Sequence, residues 1–325
     1  MECVGLSQVV FFDLVQERIG RVEERMLHQT ERHSEELRAA VRHLVASGGK
    51  RVRPAVALLT GEMLAGDEER LITLAAAIEM LHTATLVHDD LIDGSLLRRG
   101  IPTINAHWTP GATVLTGDFI FAAAAKLAAE TDSVAVMHLF AETLAVMVNG
   151  EITQMFASHG IVDRDNYYRR IYAKTASMFV LATGAAAYLS PVDEAQEAAV
   201  RRYGRAIGMA FQIVDDILDF VGEQAAVGKP VGNDLRDGLL TLPAIYYWES
   251  HPADADMERV LAGDFSGAHI DRLIEAIRNS DAIRQALDEA GAFVRQAVDS
   301  LDAFPPGPAQ QALVALAHYI VERNI

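Results

Sequence analysis

The sequence predicts an all-α fold: one domain over residues 1–325, built as a bundle of ten or more mostly antiparallel helices. Three observations predict it. Half of the 325 residues are apolar yet only 7% are aromatic, and alanine, which costs least to fix in a helix, is abundant. Leu71, Leu74, Ile78, Leu81 and Leu86 recur at spacings of three to five, with Ala75 beside Leu74, the period of a helix facing a core. Glycine and proline fall mostly between such segments, and no run alternates as a strand would.

Along the chain the elements follow in order. Glu2, Asp13 and Glu17 interrupt the N-terminal apolar residues and no basic leader precedes them, so a secretory signal is not expected. Gly48-Gly49 makes a turn, and Pro54 suits the first residue of the next helix. After the periodic segment around residues 71–86, breaks come at Gly100 with Pro102 and at Pro110-Gly111. The apolar stretch Met178–Leu189 is shorter than the ~20 residues a bilayer-spanning helix needs, and no transmembrane segment is expected. Ser190-Pro191, Gly228 with Pro230, and Pro305 through Pro308 mark the later turns. The region from Trp248 onward reads as acidic and helical, with no separate activity. No linker long enough to divide the chain is found.

Charge and cysteine usage narrow the function classes. A net charge of −17 opposes nucleic-acid binding, because that surface repels phosphate backbones. It leaves open a small phosphorylated substrate, which needs only a local basic site or a metal. Cys3 is the single cysteine, so no internal disulfide forms, in keeping with a reducing, cytoplasmic setting.

One pattern is repeated over a long distance. Leu86-Val87-His88-Asp89-Asp90-Leu91-Ile92-Asp93 is echoed by Ile213-Val214-Asp215-Asp216-Ile217-Leu218-Asp219-Phe220. Both place DDxxD after an apolar helical run. On a helix Asp89 stacks with Asp93 and Asp215 with Asp219, while Asp90 and Asp216 lie about 100° away. Acids so grouped, with no Lys or Arg inside either motif, repel one another and call for a cation from outside. Hard oxygen ligands at this spacing suit Mg²⁺, which commonly bridges carboxylates to substrate phosphates. One DDxxD is weak as a signal; two, each after an apolar run, are strong. Lys50, Arg51 and Arg53 add a basic Gly-led turn beside a helix start, the makings of a phosphate site.

The two motifs resemble the aspartate-rich motifs of the trans-polyprenyl diphosphate synthases, a family that includes farnesyl, geranylgeranyl and octaprenyl diphosphate synthases. The resemblance runs roughly from Gly48 to Pro243. It takes in Gly48-Gly49-Lys50-Arg51-Val52-Arg53-Pro54, Gly94 to Gly100, Lys174-Thr175-Ala176, Phe211-Gln212, Gly228-Lys229-Pro230 and Gly232-Asn233-Asp234-Leu235. It implies the isoprenoid synthase fold, a bundle around a deep central cavity, usually a homodimer in the cytoplasm. It also implies head-to-tail condensation of isopentenyl diphosphate with an allylic diphosphate. Several Mg²⁺ ions, three with bound diphosphate, would be held by Asp89, Asp93, Asp215 and Asp219, with Asp90 and Asp216 completing the motifs.

By the same resemblance Lys50 and Arg53, with His82 and Arg99, take the diphosphate of isopentenyl diphosphate, and Arg51 is counted with that basic turn. His82 precedes Asp89 by seven positions, two turns back on a similar face. Arg98, Lys174 and Lys229 take the allylic diphosphate, and Thr175 and Gln212 line the place where cationic charge develops. There is one departure: Leu239 stands where many relatives carry a lysine. Relatives block the growing chain with an aromatic one to two turns before the first motif. Here those positions are Ala84 and Thr85, backed by Leu81 and Met80. Each helical turn deepens a tunnel by about 5.4 Å. The expectation is therefore a product longer than farnesyl, with a long-chain polyprenyl diphosphate ahead of geranylgeranyl. A class I terpene cyclase is the enzymatic rival, opposed by the second DDxxD and by the Lys50, Arg53 and His82 set; a non-catalytic synthase subunit is the other, opposed by the completeness of both motifs.

Overall fold

The computed structural model describes residues 12–98, 100–156, 163–221 and 231–322. Helices account for 79% of them, and the one sheet among these residues is a two-stranded ribbon of Leu97–Arg98 (β1) and Ile101–Pro102 (β2). The all-α expectation is met. Contacts gather the chain into two compact units. One comprises Met1–Glu142, Met178–Arg201 and Leu301–Leu316; the other Thr143–Ser177, Arg202–Ser300 and Ala317–Ile325. Each is assembled from separate stretches of chain.

The first unit is organised around one long helix. Its elements include α1 (Gln16–His28), α2 (Glu35–Ala46), α3 (Val52–Met63), α4 (Glu68–Ile92) and α5 (Pro110–Ala129). Asp67 caps α4, accepting from the Arg70 N–H at 2.9 Å. Thr109 caps α5, with Pro110 in its first turn. Helices α1, α3 and α5 all pack on α4. Every residue from Leu71 to Leu81 is consequently buried, so this helix is enclosed on all sides where the sequence period had suggested one apolar face. Small residues allow the close approach: a Cβ on Gly117 of α5 would lie 2.1 Å from His88 Nε2 of α4.

The second unit contains α7 (Arg164–Ile171), which runs directly into a π-helical turn, Tyr172–Ala176. Between these units' segments the chain also forms α6 (Val134–Phe156), α8 (Ser177–Tyr188) and α9 (Glu194–Val221). Then come a four-residue turn of helix, Asn233–Arg236, and α10 (Leu242–Ser250), α11 (Ala255–Leu261), α12 (Ala268–Arg278), α13 (Ala282–Ser300) and α14 (Pro308–Glu322). Helix α10 packs on α7, α12 and α13. Tyr168 and Tyr246 both donate to the Glu289 carboxylate, fixing α7 and α10 to α13.

Three described helices are long and apolar enough to cross a membrane by length and composition: Glu68–Ile92, Pro110–Ala129 and Val134–Phe156. The sequence reading had weighed only Met178–Leu189. These properties do not establish a span, and the apolar window of Glu68–Ile92 is 72% buried inside the protein.

Candidate active site

The first acidic motif occupies the carboxyl end of α4, where the helix dipole is negative and no basic residue stands in the last turn. The exposure pattern sorts its three acids. Leu81, Ala84, Val87 and Asp90 form a buried stripe, while His82, Thr85 and Asp89 lie half-buried on another and Asp93 is exposed. Asp90 is turned inward and neutralised. Arg98 on β1 donates to its Oδ1 from Nε at 2.9 Å and from a terminal nitrogen at 2.8 Å. The ribbon is folded back for this purpose by bonds from the Ser95 N–H to the Asp90 carbonyl and from the Thr103 hydroxyl to the Ser95 carbonyl, both 2.8 Å. Asp89 and Asp93, an i,i+4 pair, carry the outward charge.

The basic turn divides between two uses. Arg53 Nη1 lies 3.3 Å from His82 Nε2, so the structure brings these two predicted residues together. The Arg53 guanidinium also stands 5.2 Å from the Phe179 ring centre, and Lys50 is exposed at the turn. Arg51 has another task. It takes the left-handed conformation, φ 44°, at the start of α3, and its side chain is only 9% exposed. Its Nε donates to Glu23 and its Nη1 to Glu79, both at 2.8 Å, and its Nη2 to the Val45 carbonyl at 2.7 Å. With all three nitrogens engaged, Arg51 is a clamp for the buried Glu79, a different use from the substrate contact expected of it. Arg99 and Lys229 lie outside the described residues.

The second motif lies near the end of α9, again with no basic residue in the last turn. Phe211, Gln212, Asp215, Leu218 and Asp219 form its half-buried stripe; Asp216 is buried. Asp216 accepts from Gln212 Nε2 at 2.8 Å and from the Tyr167 hydroxyl at 2.7 Å. Burial, with the charge of Asp234 second, pushes its carboxyl up to about 7 against the opposing pull of these two hydrogen bonds and of Arg170. Gln212 Oε1 in turn accepts from Thr175 Oγ1 at 2.5 Å. Thr175 and Lys174 share the π-helical turn, and Lys174 Nζ is 3.7 Å from Glu151. Asp219 accepts from the backbone N–H groups of Asn233 and Asp234, each at 3.1 Å, and so caps the short helical turn behind Gly232, whose φ of 69° favours glycine.

Thr175, Gln212 and Asp216 are thus one hydrogen-bonded chain, and Arg98 meets Asp90. Leu239, where the resemblance led one to expect a lysine, is half-buried. Two participants were not foreseen. Asp234 is a fourth acid beside the second motif, named in the sequence only as part of a block. Tyr167, in the polar stretch Arg164-Asp165-Asn166-Tyr167-Tyr168-Arg169-Arg170, carries no signal of its own.

Among the described residues no group of three or more His, Cys, Asp or Glu side chains is gathered around one point. The donor set nevertheless fits Mg²⁺, which needs only one or two carboxylates when substrate phosphates supply other ligands. Asp89 and Asp93 in the first motif, and Asp215 and Asp219 in the second, are carboxylates of that kind.

Residues 34–277 match the family model described as polyprenyl synthetase. An octaprenyl diphosphate synthase of Haemophilus influenzae is 37% identical over 286 residues, 87% of each chain. Component 2 of the heptaprenyl diphosphate synthase of Bacillus subtilis is 34% identical over 303 residues, 93% of this chain and 87% of that one. A polyprenyl synthase of Caulobacter crescentus, solved with calcium and isoprenyl diphosphate, superposes with a TM-score of 0.90 at 35% identity, covering 98% of both chains. Sequence motifs, helical architecture and these likenesses agree: the chain is a prenyltransferase of the polyprenyl synthetase family.

Proposed function

We propose that this protein condenses isopentenyl diphosphate with an allylic diphosphate, head to tail and in trans geometry, to a long-chain polyprenyl diphosphate. The observation that carries the reading is the pair of complete DDxxD motifs, each near the carboxyl end of a long helix, where the dipole disfavours clustered acids. The octaprenyl and heptaprenyl names of the relatives support the long product.

Asp89 and Asp93 on α4, and Asp215 and Asp219 on α9, are the residues to hold Mg²⁺, several ions in all. Bound Mg²⁺ supplies Lewis-acid neutralisation of the leaving diphosphate. The chain's own residues do the rest. Arg53 and His82, with Lys50 at the turn, bind the diphosphate of isopentenyl diphosphate and orient its double bond. Lys174, Arg98 and Lys229 bind the allylic diphosphate. Thr175 and Gln212 present oxygen dipoles to the allylic cation as its C–O bond breaks. The double bond attacks, a proton leaves to the departing diphosphate, and a new allylic diphosphate results. Met80, Leu81 and Ala84, all buried on α4, set product length together with Thr85.

A cytoplasmic homodimer is part of the same proposal. The one cysteine suits a reducing compartment, and α6 leaves Ile152 50%, Met155 62% and Phe156 84% exposed, an apolar surface for a second copy. The test is incubation of the purified protein with farnesyl diphosphate, labelled isopentenyl diphosphate and Mg²⁺. Extension to long polyprenyl chains is expected. Cyclised hydrocarbon, or no extension, overturns the proposal.

A further inference from the structure

Helix α7 contributes none of the residues that the motifs single out, yet it grips the second acidic motif. The Tyr167 hydroxyl donates to Asp216 Oδ2 at 2.7 Å, with Tyr167 wholly buried and Asp216 4% exposed. The opposite oxygen is taken by Gln212, whose own carbonyl oxygen is taken by Thr175. The Gln212 amide is therefore fixed in one orientation, nitrogen toward Asp216 and oxygen toward Thr175. Three residues on, Arg170 lies 5.6 Å from the Tyr167 ring centre and donates to the Leu240 carbonyl at 2.7 Å. One helix thus holds both the acids and the segment that follows them.

We propose that Tyr167 is a positioning residue for the condensation. Asp215, Asp216 and Asp219 share one rigid helix, so anchoring Asp216 sets the rotation at which α9 presents Asp215 and Asp219. The same bond keeps the Gln212–Thr175 pair in register. A tyrosine that merely filled space would be replaced by phenylalanine without consequence; the hydroxyl is what this role requires. The proposal rests on the function assigned above, and its test separates the two.

Tyr167→Phe keeps the ring and its place under Arg170 and leaves one buried carboxylate oxygen without its donor. Circular dichroism reports the fold. The Mg²⁺ concentration for half-maximal activity should rise about tenfold, the scale of one hydrogen bond lost at a buried charged acceptor. KM for isopentenyl diphosphate should stay unchanged. The gain in Tm produced by Mg²⁺ with inorganic diphosphate should shrink to less than half of the wild-type gain. A purely structural role lowers Tm in the absence of ligand and leaves the Mg²⁺ requirement and the ligand-induced gain alone. That pattern, or wild-type behaviour throughout, overturns the proposal. Should Tyr167→Phe not fold, Arg170→Gln frees the ring while sparing every bond to Asp216. A smaller change in the same two readouts supports the proposal, and none overturns it. If the wild-type protein does not elongate farnesyl diphosphate, the functional reading fails, and the Tm comparison still decides the place of Tyr167.

Discussion

Asp89 and Asp215 sit near the negative end of a helix, close to other acids, where the helix dipole and neighbouring charge disfavour a carboxylate. Replacing either with alanine should leave the stability of the ligand-free protein equal or slightly higher. Turnover should fall about 10²–10³-fold, as when one preorganised electrostatic contact is removed. Steady-state assays with labelled isopentenyl diphosphate and thermal denaturation read the two effects, and near-normal turnover would sink the metal-holding role. Arg51 is the opposite case. Arg51→Met strands Glu79, whose side chain is 6% exposed, and should cost about 3–5 kcal/mol in urea unfolding; a loss under 1 kcal/mol (about the worth of a surface pair) would refute the clamp. The sequence could not tell Arg51 from Lys50 and Arg53, since all three are cations in one turn. What separates them is a left-handed backbone at Arg51 and a carboxylate 28 residues away, neither of which a local pattern reveals.

Helices and their breaks were legible at the scale of elements because periodicity and Gly/Pro placement act locally: the turn at Gly48 and the start of α5 at Pro110 are where composition put them. The enclosure of α4 on all sides depends on three partner helices and was not legible. Nor was the π-helical turn at Tyr172–Ala176, which is visible only once the hydrogen bonds are drawn. This bears on product length. Thr85 shares the half-buried stripe of His82 and Asp89, whereas Ala84 belongs with Leu81, Val87 and Asp90 in the buried one. Thr85→Phe places its ring on the face that carries the acids and should shorten the product by several isoprene units with folding intact. Ala84→Phe should shorten it too, but at an overpacking cost of about 1–3 kcal/mol. Chain lengths by reversed-phase chromatography, with Tm beside them, decide: an unchanged distribution in both variants removes these positions as rulers.

For the whole molecule, contacts gather the chain into two compact units, each assembled from non-adjacent stretches. Overall charge of −17 keeps copies apart at long range, so association has to come from a local apolar surface. Helix α6 supplies one. Val148, Ile152, Met155 and Phe156 follow spacings of four, three and one, a single stripe, and are 46%, 50%, 62% and 84% exposed. Each such side chain is worth about 1.5–3 kcal/mol when buried, which is hard to explain on a solitary subunit. Ile152→Asp combined with Phe156→Asp replaces two of these anchors with repelling charges. The pair should weaken a dimer about 10²–10⁴-fold, enough to convert it to monomer at micromolar concentration in size-exclusion chromatography with light scattering. Circular dichroism should be unchanged, because neither side chain is part of the protein's own core. A wild-type protein that elutes as a monomer, or a double variant that stays dimeric, would rule out this stripe as the contact between copies.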